Sequence, residues 1–398
     1  MSVPVSEVCS GLLELFATVS DGRSDQGRDH PVAVVLALAA AAVVAGMGSY
    51  TAITGWVADV PADVLGRLYE RVGAEAVAGP PSKSTIWRVL TDADPDAFDA
   101  AVGSWLSGLG AASGSGTDDG DGDGDGDGVG RALMQVRLDG KTVRGAKDAD
   151  GHQTHLLAAL VGPAGPDAAP AVIAAHTEVG AKTNEVAMAQ TVLDGVELAG
   201  TVLTADALHT VKATASYVHD RGGEFVLPVK ENRQALFEAL NTLPWQQAPI
   251  AHSKTERGHG RITTRTIQVL PAPADLPFPH VNQVWLIERY TADLTGKPLS
   301  AIAALGVASL SADQASPADL AGYVRGQWGI EALHWIRDTL YQEDKSQVKT
   351  RSGPRIMASL RNLAIGALRL AGRSDIAEAT RWASRNMARP FAILRLAL

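Results

Sequence analysis

Residues 113–130 read SGSGTDDGDGDGDGDGVG, and no other stretch constrains the fold as strongly. The run holds no apolar side chain until Val129, so it has nothing to bury, and its aspartates repel one another. It reads as a flexible charged linker, with the chain folding as separate units on either side. A sharper reading is a calcium loop, since Asp121, Asp123, Asp125 and Gly126 match the first half of an EF-hand. The twelfth position would then be Ala132 where a bidentate Glu is needed, and the other registers fail as well, so calcium binding is not expected.

The period of the apolar residues differs across the linker. Before it, residues 5–110 carry helical spacing in Leu12–Phe16, Val32–Val44 and Ile53–Val57. Pro80-Pro81-Ser82 gives a stop and an N-cap before Ser84–Leu90, which carries a weak helix-turn-helix signal. A further helix is expected from about Asp94 to Leu109. After the linker, Met134–Leu138, His155–Val161 and Ala171–Thr177 read as successive strands. Glu185–Val196 is a helix, Thr201–Thr204 a strand, Thr210–Asp220 a helix, Glu224–Val229 a strand and Glu231–Leu240 a helix. This β-β-β-α-β-α-β-α pattern predicts an α/β fold on a mixed sheet. Ile262–Leu270, Val284–Tyr290 and Ala301–Ser309 add a second β-rich stretch. One long helix is expected from Asp319 to about Tyr341, then a helical tail.

With 398 residues, about two to three domains are expected. Apolar residues at 46% and charged residues at 20% describe a folded chain with ample core. A single cysteine, Cys9, excludes an intrachain disulfide framework and metal sites built on several cysteines, and fits a reducing compartment. Pro31 to Met47 is uncharged but short for a membrane span, and Arg28, Asp29 and His30 precede it instead of an aromatic belt. A buried helix is the better reading. No signal peptide is expected, and the expected location is the cytoplasm.

The net charge of −9 is unevenly spread. Eleven Lys/Arg lie from Lys345 to Leu398 against Asp375 and Glu378, so this segment carries +9 and residues 1–344 carry −18. Such asymmetry points either to a polyanion partner or to a solvated helical face.

Three acids stand out. Asp139 ends the first predicted strand in VRLDGKT, and Asp206 ends the fourth in VLTADAL. A carboxylate at the end of an apolar strand is costly unless it faces a cleft, although Asp also begins turns well. Glu331, His334, Trp335 and Asp338 fall at i, i+3, i+4 and i+7 and share one helix face. A helix docked on the sheet would bring Glu331 to the two aspartates. Three carboxylates around two Mg²⁺ or Mn²⁺ ions form the two-metal site of phosphodiester chemistry. Trp335 is expected to pack in the core, with stacking on an extruded base as its other use. Gly140-Lys141-Thr142 resembles the end of a P-loop, but Gln135 stands where the earlier glycine belongs. His152 and His155 lack a third ligand for zinc.

Seven blocks stand in the order LDGKTVRG from Leu138, KTNE from Lys182, TADALHT from Thr204, VKEN from Val229, RGHGRI from Arg257, WGIEALHWIRD from Trp328 and EDKS from Glu343. DGRSDQGRDHP from Asp21, GMGSY from Gly46 and PSKSTIWRVL from Pro81 precede them. In these blocks the chain resembles the DDE transposases of the insertion-sequence group that includes the H-repeat-associated proteins of Rhs elements. The resemblance spans most of the chain. It implies an RNase H-like core with Asp139, Asp206 and Glu331 as the catalytic, metal-binding triad, and two Mg²⁺ or Mn²⁺ ions as cofactor. It further implies cleavage of double-stranded DNA at element ends, strand transfer into target DNA, a homodimer in the synaptic complex, and work at the bacterial nucleoid with no membrane.

The organisation it implies is a helical associated domain at 1–112 and a linker at 113–130. An RNase H-like catalytic domain follows at 131–344 with a β-rich insertion at about 245–315, then a basic helical tail at 345–398. Two departures are visible. The Y-x₂-R-x₃-E-x₆-K signature of related transposases, counted from Glu331, holds Val324, Gln327 and Asp338, with Arg325 and Lys345 as candidate substitutes. The K-x-N-Q block reads Lys230-Glu231-Asn232-Arg233. Candidate DNA contacts are Lys230, Asn232, His259, Arg261, Arg325, Lys345, Arg351, Arg355 and Arg361. The rivals are a metal-dependent nuclease that cuts without joining and a catalytically inactive, transposase-derived DNA-binding protein.

Overall fold

The structure, a computed structural model, describes residues 11–24, 28–75, 77, 79–114, 133–147, 151–165, 170–180 and 183–396. The linker aspartates and the calcium-loop reading lie outside the described residues.

Among the described residues six helices precede the linker: α1 (Leu12–Ala17), α2 (Val32–Val44), α3 (Tyr50–Ala58), α4 (Ala62–Arg71), α5 (Lys83–Asp92) and α6 (Pro95–Gly114). Ser49 and Ser82 cap α3 and α5 by accepting from the backbone three residues on. The apolar stretch at Pro31 becomes α2, buried from Ala33 to Val44 on every side. Among the described residues no helix is long and apolar enough to cross a membrane.

After the linker come β1 (Met134–Lys147), β2 (Gln153–Gly162), β3 (Val172–Glu178), α7 (Glu185–Asp194), β4 (Thr201–Ala205), α8 (Lys212–Asp220), β5 (Glu224–Val229) and α9 (Gln234–Asn241). The strands lie in the order β3-β2-β1-β4-β5. β2 is antiparallel to β1 and β3, whereas β1, β4 and β5 run parallel. This order and polarity define an RNase H-like core, as the resemblance implied. β1 differs from expectation in length. It continues past Asp139 to Lys147 against β2, while its pairing with β4 stops at Leu138 opposite Ala205. Asp139 therefore sits in mid-strand, on the side where β4 has already ended.

The insertion comprises β6 (His252–Gly258), β7 (Arg261–Pro271), β8 (Gln283–Asp293) and β9 (Pro298–Ala308). It does not stand apart from the core. β9 pairs antiparallel with β5, so the described strands form one nine-stranded sheet ending β5-β9-β8-β7-β6. The edge strand β6 went unread because HSKTERG has no apolar alternation, and a charged edge of this kind blocks further strand pairing.

The last helices are α10 (Pro317–Gly326), α11 (Trp328–Thr339), α12 (Gly353–Leu370), α13 (Ile376–Ser384) and α14 (Ala388–Ile393). The single helix expected from Asp319 breaks at Gln327 into α10 and α11. The basic tail also differs from expectation. α12 is buried from Gly353 to Leu368, packing Ile356, Leu360 and Leu363 into the core that α2 and α6 share. Its cations are internal. Arg355 binds Asp99 at 2.6 Å and Asp96 at 2.5 Å, and His176 on β3 reaches Asp99 at 3.0 Å. Arg361 and Arg337 clamp the fully buried Glu343, each at 2.8 Å. The +9 segment is thus partly neutralised inside the fold, and α12 joins the helical unit to the sheet.

Candidate active site

In β1 and β4 the register Leu138↔Ala205 makes Asp139 and Asp206 the next residues on adjacent parallel strands. Parallel neighbours lie about 4.8 Å apart, so the two residues follow the paired segments at the same edge of the sheet. Asp206 is exposed and Asp139 half-buried. The Leu208 amide donates to Asp206 Oδ1 at 2.9 Å, which fixes the turn after β4.

The break between α10 and α11 places the third acid. Gln135 Nε2 donates to Tyr323 O, and Arg137 Nε donates to Gly326 O at 2.6 Å. Gln327 Nε2 donates to Leu138 O at 3.0 Å, and its Oε1 accepts from Thr204 Oγ1 at 2.6 Å. The helix joint is therefore pinned to the residues just before Asp139 and two before Asp206. Glu331 follows Gln327 by one turn, about 6 Å along the axis. Burial and repulsion from Asp139 raise its carboxyl above the usual range. Gln327, which replaces the signature arginine, serves here as the strap that sets the register of α11.

The same helix face engages β1 twice more. His334 Nδ1 lies 3.5 Å from Asp139 Oδ2. Burial depresses the pKa of this histidine, and its Nε2 is buried without a hydrogen-bond partner among the described residues. Asp338 accepts from Lys141 Nζ at 2.7 Å. Lys141 follows Asp139 by two on the strand and so shares its face, which places a cation beside the candidate centre although the signature lysine position holds Asp338. Trp335 is not a core residue. It is 66% exposed, and Trp328 three residues before Glu331 is 51% exposed.

A second cluster flanks the site and was not singled out in the sequence. Glu185 Oε1 binds His155 Nε2 at 2.8 Å, and its Oε2 lies 3.3 Å from His209 Nε2. These two hydrogen bonds outweigh burial and hold the Glu185 carboxyl down at about 2. A Cβ at Gly140 would meet that carboxyl at 2.6 Å, so the glycine after Asp139 lets the cluster approach the strand. Glu185 and His209 lie inside the KTNE and TADALHT blocks, which was the available signal. His155 also meets Thr142 Oγ1 through its Nδ1 at 2.8 Å.

The candidate DNA contacts divide by place. Lys230 is exposed at the end of β5. Asn232 donates to Ala207 O, and Arg233 donates to Thr210 O and Leu208 O. The unexpected Arg233 thus ties this turn to the one carrying Asp206. His259 and Gly260 form the two-residue tip of the β6–β7 hairpin, both at positive φ, with His259 and Arg261 exposed. That tip stands four to five strands from β4, roughly 20 Å away, outside direct reach of the triad. Arg325 lies on α10, and Lys345 is exposed after α11. Arg351 is exposed but paired with Asp92 at 2.5 Å. Arg355 and Arg361 are buried and ion-paired, which takes them out of reach of a phosphate.

The three carboxylates suit a hard divalent cation, because the donors are oxygen only and the Glu331–Asp139 repulsion is what such an ion relieves. As the side chains stand, no group of three His, Cys, Asp or Glu among the described residues is gathered tightly enough to hold a metal.

Strand order and polarity define the class: a protein with an RNase H-like catalytic core. Residues 136–366 match the family described as Transposase DDE domain, and residues 13–106 match the family DDE_Tnp_1-associated. The chain belongs to the transposase DDE domain family. It is 30% identical over 255 residues to an uncharacterized protein of the dhlA 3′ region of Xanthobacter autotrophicus, covering 62% of this chain and 76% of that protein. It is 22% identical to the H repeat-associated YhhI of Escherichia coli K12, over 90% of each chain. A cryo-EM structure of the piggyBac transposase synaptic complex with hairpin DNA aligns with 97% of this chain and 80% of that one, at 10% identity and a TM-score of 0.40.

Proposed function

We propose that this chain is a DNA transposase in which Asp139, Asp206 and Glu331 are the catalytic carboxylates. They act in metal-dependent cleavage at the ends of an insertion sequence and in strand transfer into target DNA. The observation that supports the reading is the pairing of Leu138 with Ala205, which makes Asp139 and Asp206 the next residues on adjacent strands, together with the bonds from Gln327 to Leu138 and Thr204 that tie down the start of the helix carrying Glu331. Mg²⁺ or Mn²⁺, two ions together, is the cofactor these oxygens fit. When bound, the ions supply the Lewis acidity that activates a water or 3′-hydroxyl and stabilises the leaving oxygen.

The chain's own residues set the geometry. Asp139 is oriented by His334, Asp206 by the Leu208 amide, and Glu331 by the Gln327 strap. Lys141, on the same strand face as Asp139, ties Asp338 of α11 to β1. Lys230 and Asn232 hold the DNA strand next to Asp206, and His259 and Arg261 touch DNA further out. The partner is double-stranded DNA, and a homodimer brings two ends together.

The test uses a supercoiled plasmid carrying the DNA that flanks the gene, with Mg²⁺ or Mn²⁺. Defined cuts followed by joined product support a transposase. Cuts without joining indicate a nuclease. Binding without cutting indicates an inactive DNA-binding derivative.

A further inference from the structure

The face of β6–β9 turned toward α10 carries a charge arrangement that the fold alone does not explain. Lys254 on β6 pairs with Arg265 on β7, and Arg265 pairs with Arg289 on β8. Three cations therefore stand directly opposite one another across three strands. Like charges in this relation destabilise a sheet. One acid, Glu256, serves the row, at 2.7 Å from Arg265 and 3.6 Å from Lys254. Arg289 Nε is buried with no hydrogen-bond partner among the described residues.

The row is also the wall of a cavity. About 480 Å³ of space lies between this face and the helices, with Ile267, Ile287 and Ile302 from the sheet, Arg325 from α10, and Trp328. Four of its charged lining residues are cations and one is an acid. Trp328, which lines the cavity, precedes Glu331 by three on α11, so the two lie on one helix face. Cations, an exposed indole and an apolar floor together match a nucleic-acid strand, with phosphates for the guanidinium groups and a planar base for the ring. An acidic peptide would satisfy the cations but would bring no planar base to Trp328, so a DNA strand is the occupant this face fits.

We infer that the Lys254–Arg265–Arg289 row and Trp328 form a DNA-strand surface leading to Glu331, distinct from the contacts at Lys230 and Asn232. The inference rests on the transposase reading and adds the track by which the strand arrives. The cation row takes the phosphates, and Trp328 takes the face of a base at the mouth.

The experiment measures binding of a fluorescent 30-mer, as duplex and as single strand, across a salt series without divalent metal. It compares wild type, Lys254→Ala/Arg289→Ala, Trp328→Ala, and Arg67→Ala on α4 as a remote control. Each lost phosphate contact lowers the slope of log K against log salt by about 0.9 for duplex and about 0.7 for single strand. The double variant is expected to lose about 1.8 from the slope for duplex and about 1.4 for single strand, with Arg67→Ala unchanged. Trp328→Ala is expected to weaken single-strand binding at least fivefold with the slope kept. Wild-type binding with an unaltered slope in the double variant overturns this surface and leaves the transposase reading standing. Absence of salt-dependent DNA binding in wild type overturns both. Thermal unfolding of each variant checks the fold, and Lys254→Gln/Arg289→Gln, which removes charge but keeps a polar, partly flexible side chain, must reproduce the slope change.

Discussion

Replacing Glu343 by Gln tests the buried centre that joins the helical unit to the catalytic core. Glu343 is fully buried and accepts from Arg337 Nε at 2.9 Å and Arg361 Nη1 at 2.8 Å. Arg361 also reaches Gly48 O at 3.4 Å, so the EDKS block, α12 and the GMGSY turn meet at one carboxylate. Burial opposes ionisation of Glu343, but Arg337 and Arg361 outweigh it and bring the pKa to about 2, from 4.5. At about 1.4 kcal/mol per unit this is worth roughly 3 kcal/mol. An independent scale agrees, since breaking a buried pair from one side costs roughly 3–5 kcal/mol. Gln keeps the shape but leaves two guanidinium groups uncompensated. Because the folded pKa lies below the unfolded one, this stability is fully present above about pH 4.5 and is lost as pH falls toward about 2. Urea unfolding followed by tryptophan fluorescence at pH 7 should show Glu343→Gln destabilised by about 3 kcal/mol or more, with the gap to wild type closing below pH 4.5. A loss under 1 kcal/mol at pH 7, or a gap independent of pH, would refute the clamp.

Three other substitutions probe separate parts of the account. Arg355→Ala should cost about 3 kcal/mol in urea unfolding by leaving the buried Asp99 with only His176 and Ser359, while the salt slope of DNA binding stays at the wild-type value. A changed slope would return Arg355 to the DNA surface. Gly103→Ala places a Cβ 1.9 Å from Ala174 O, where α6 crosses β3, so unfolding should show a loss of about 1–3 kcal/mol or more. Gln327→Ala frees the α10–α11 joint from Leu138 O and Thr204, and should lower kcat for DNA cleavage at least tenfold with KM nearly unchanged. An equal effect on KM would mean that Gln327 binds DNA instead of setting Glu331.

The helical and α/β halves were legible because their apolar periods are strong and the linker divides them. Asp139 and Asp206 stood out because acids at the ends of apolar strands need a reason, Glu331 because it shares a helix face with His334 and Asp338, and the three became a triad only through the resemblance; in the structure Asp139 and Asp206 follow paired residues on adjacent strands. Other features depend on contacts far apart in sequence. β6 is polar because it is an edge. The role of Gln327 depends on a carbonyl 189 residues away. Arg355 and Arg361 read as surface cations because nothing local reveals Asp99 or, across the turn, the burial of Glu343. Trp335 read as core because an aromatic on a helix face usually is, yet it stays exposed beside the buried His334.

The most direct test of the central claim is cleavage of the flanking-DNA plasmid in Mn²⁺ by wild type, Asp139→Asn, Asp206→Asn and Glu331→Gln, each shown by thermal unfolding to be folded. The account predicts metal-dependent cuts by wild type and none above background by any of the three, with DNA binding retained. Wild-type rates of cutting in any one of them would contradict a three-carboxylate centre.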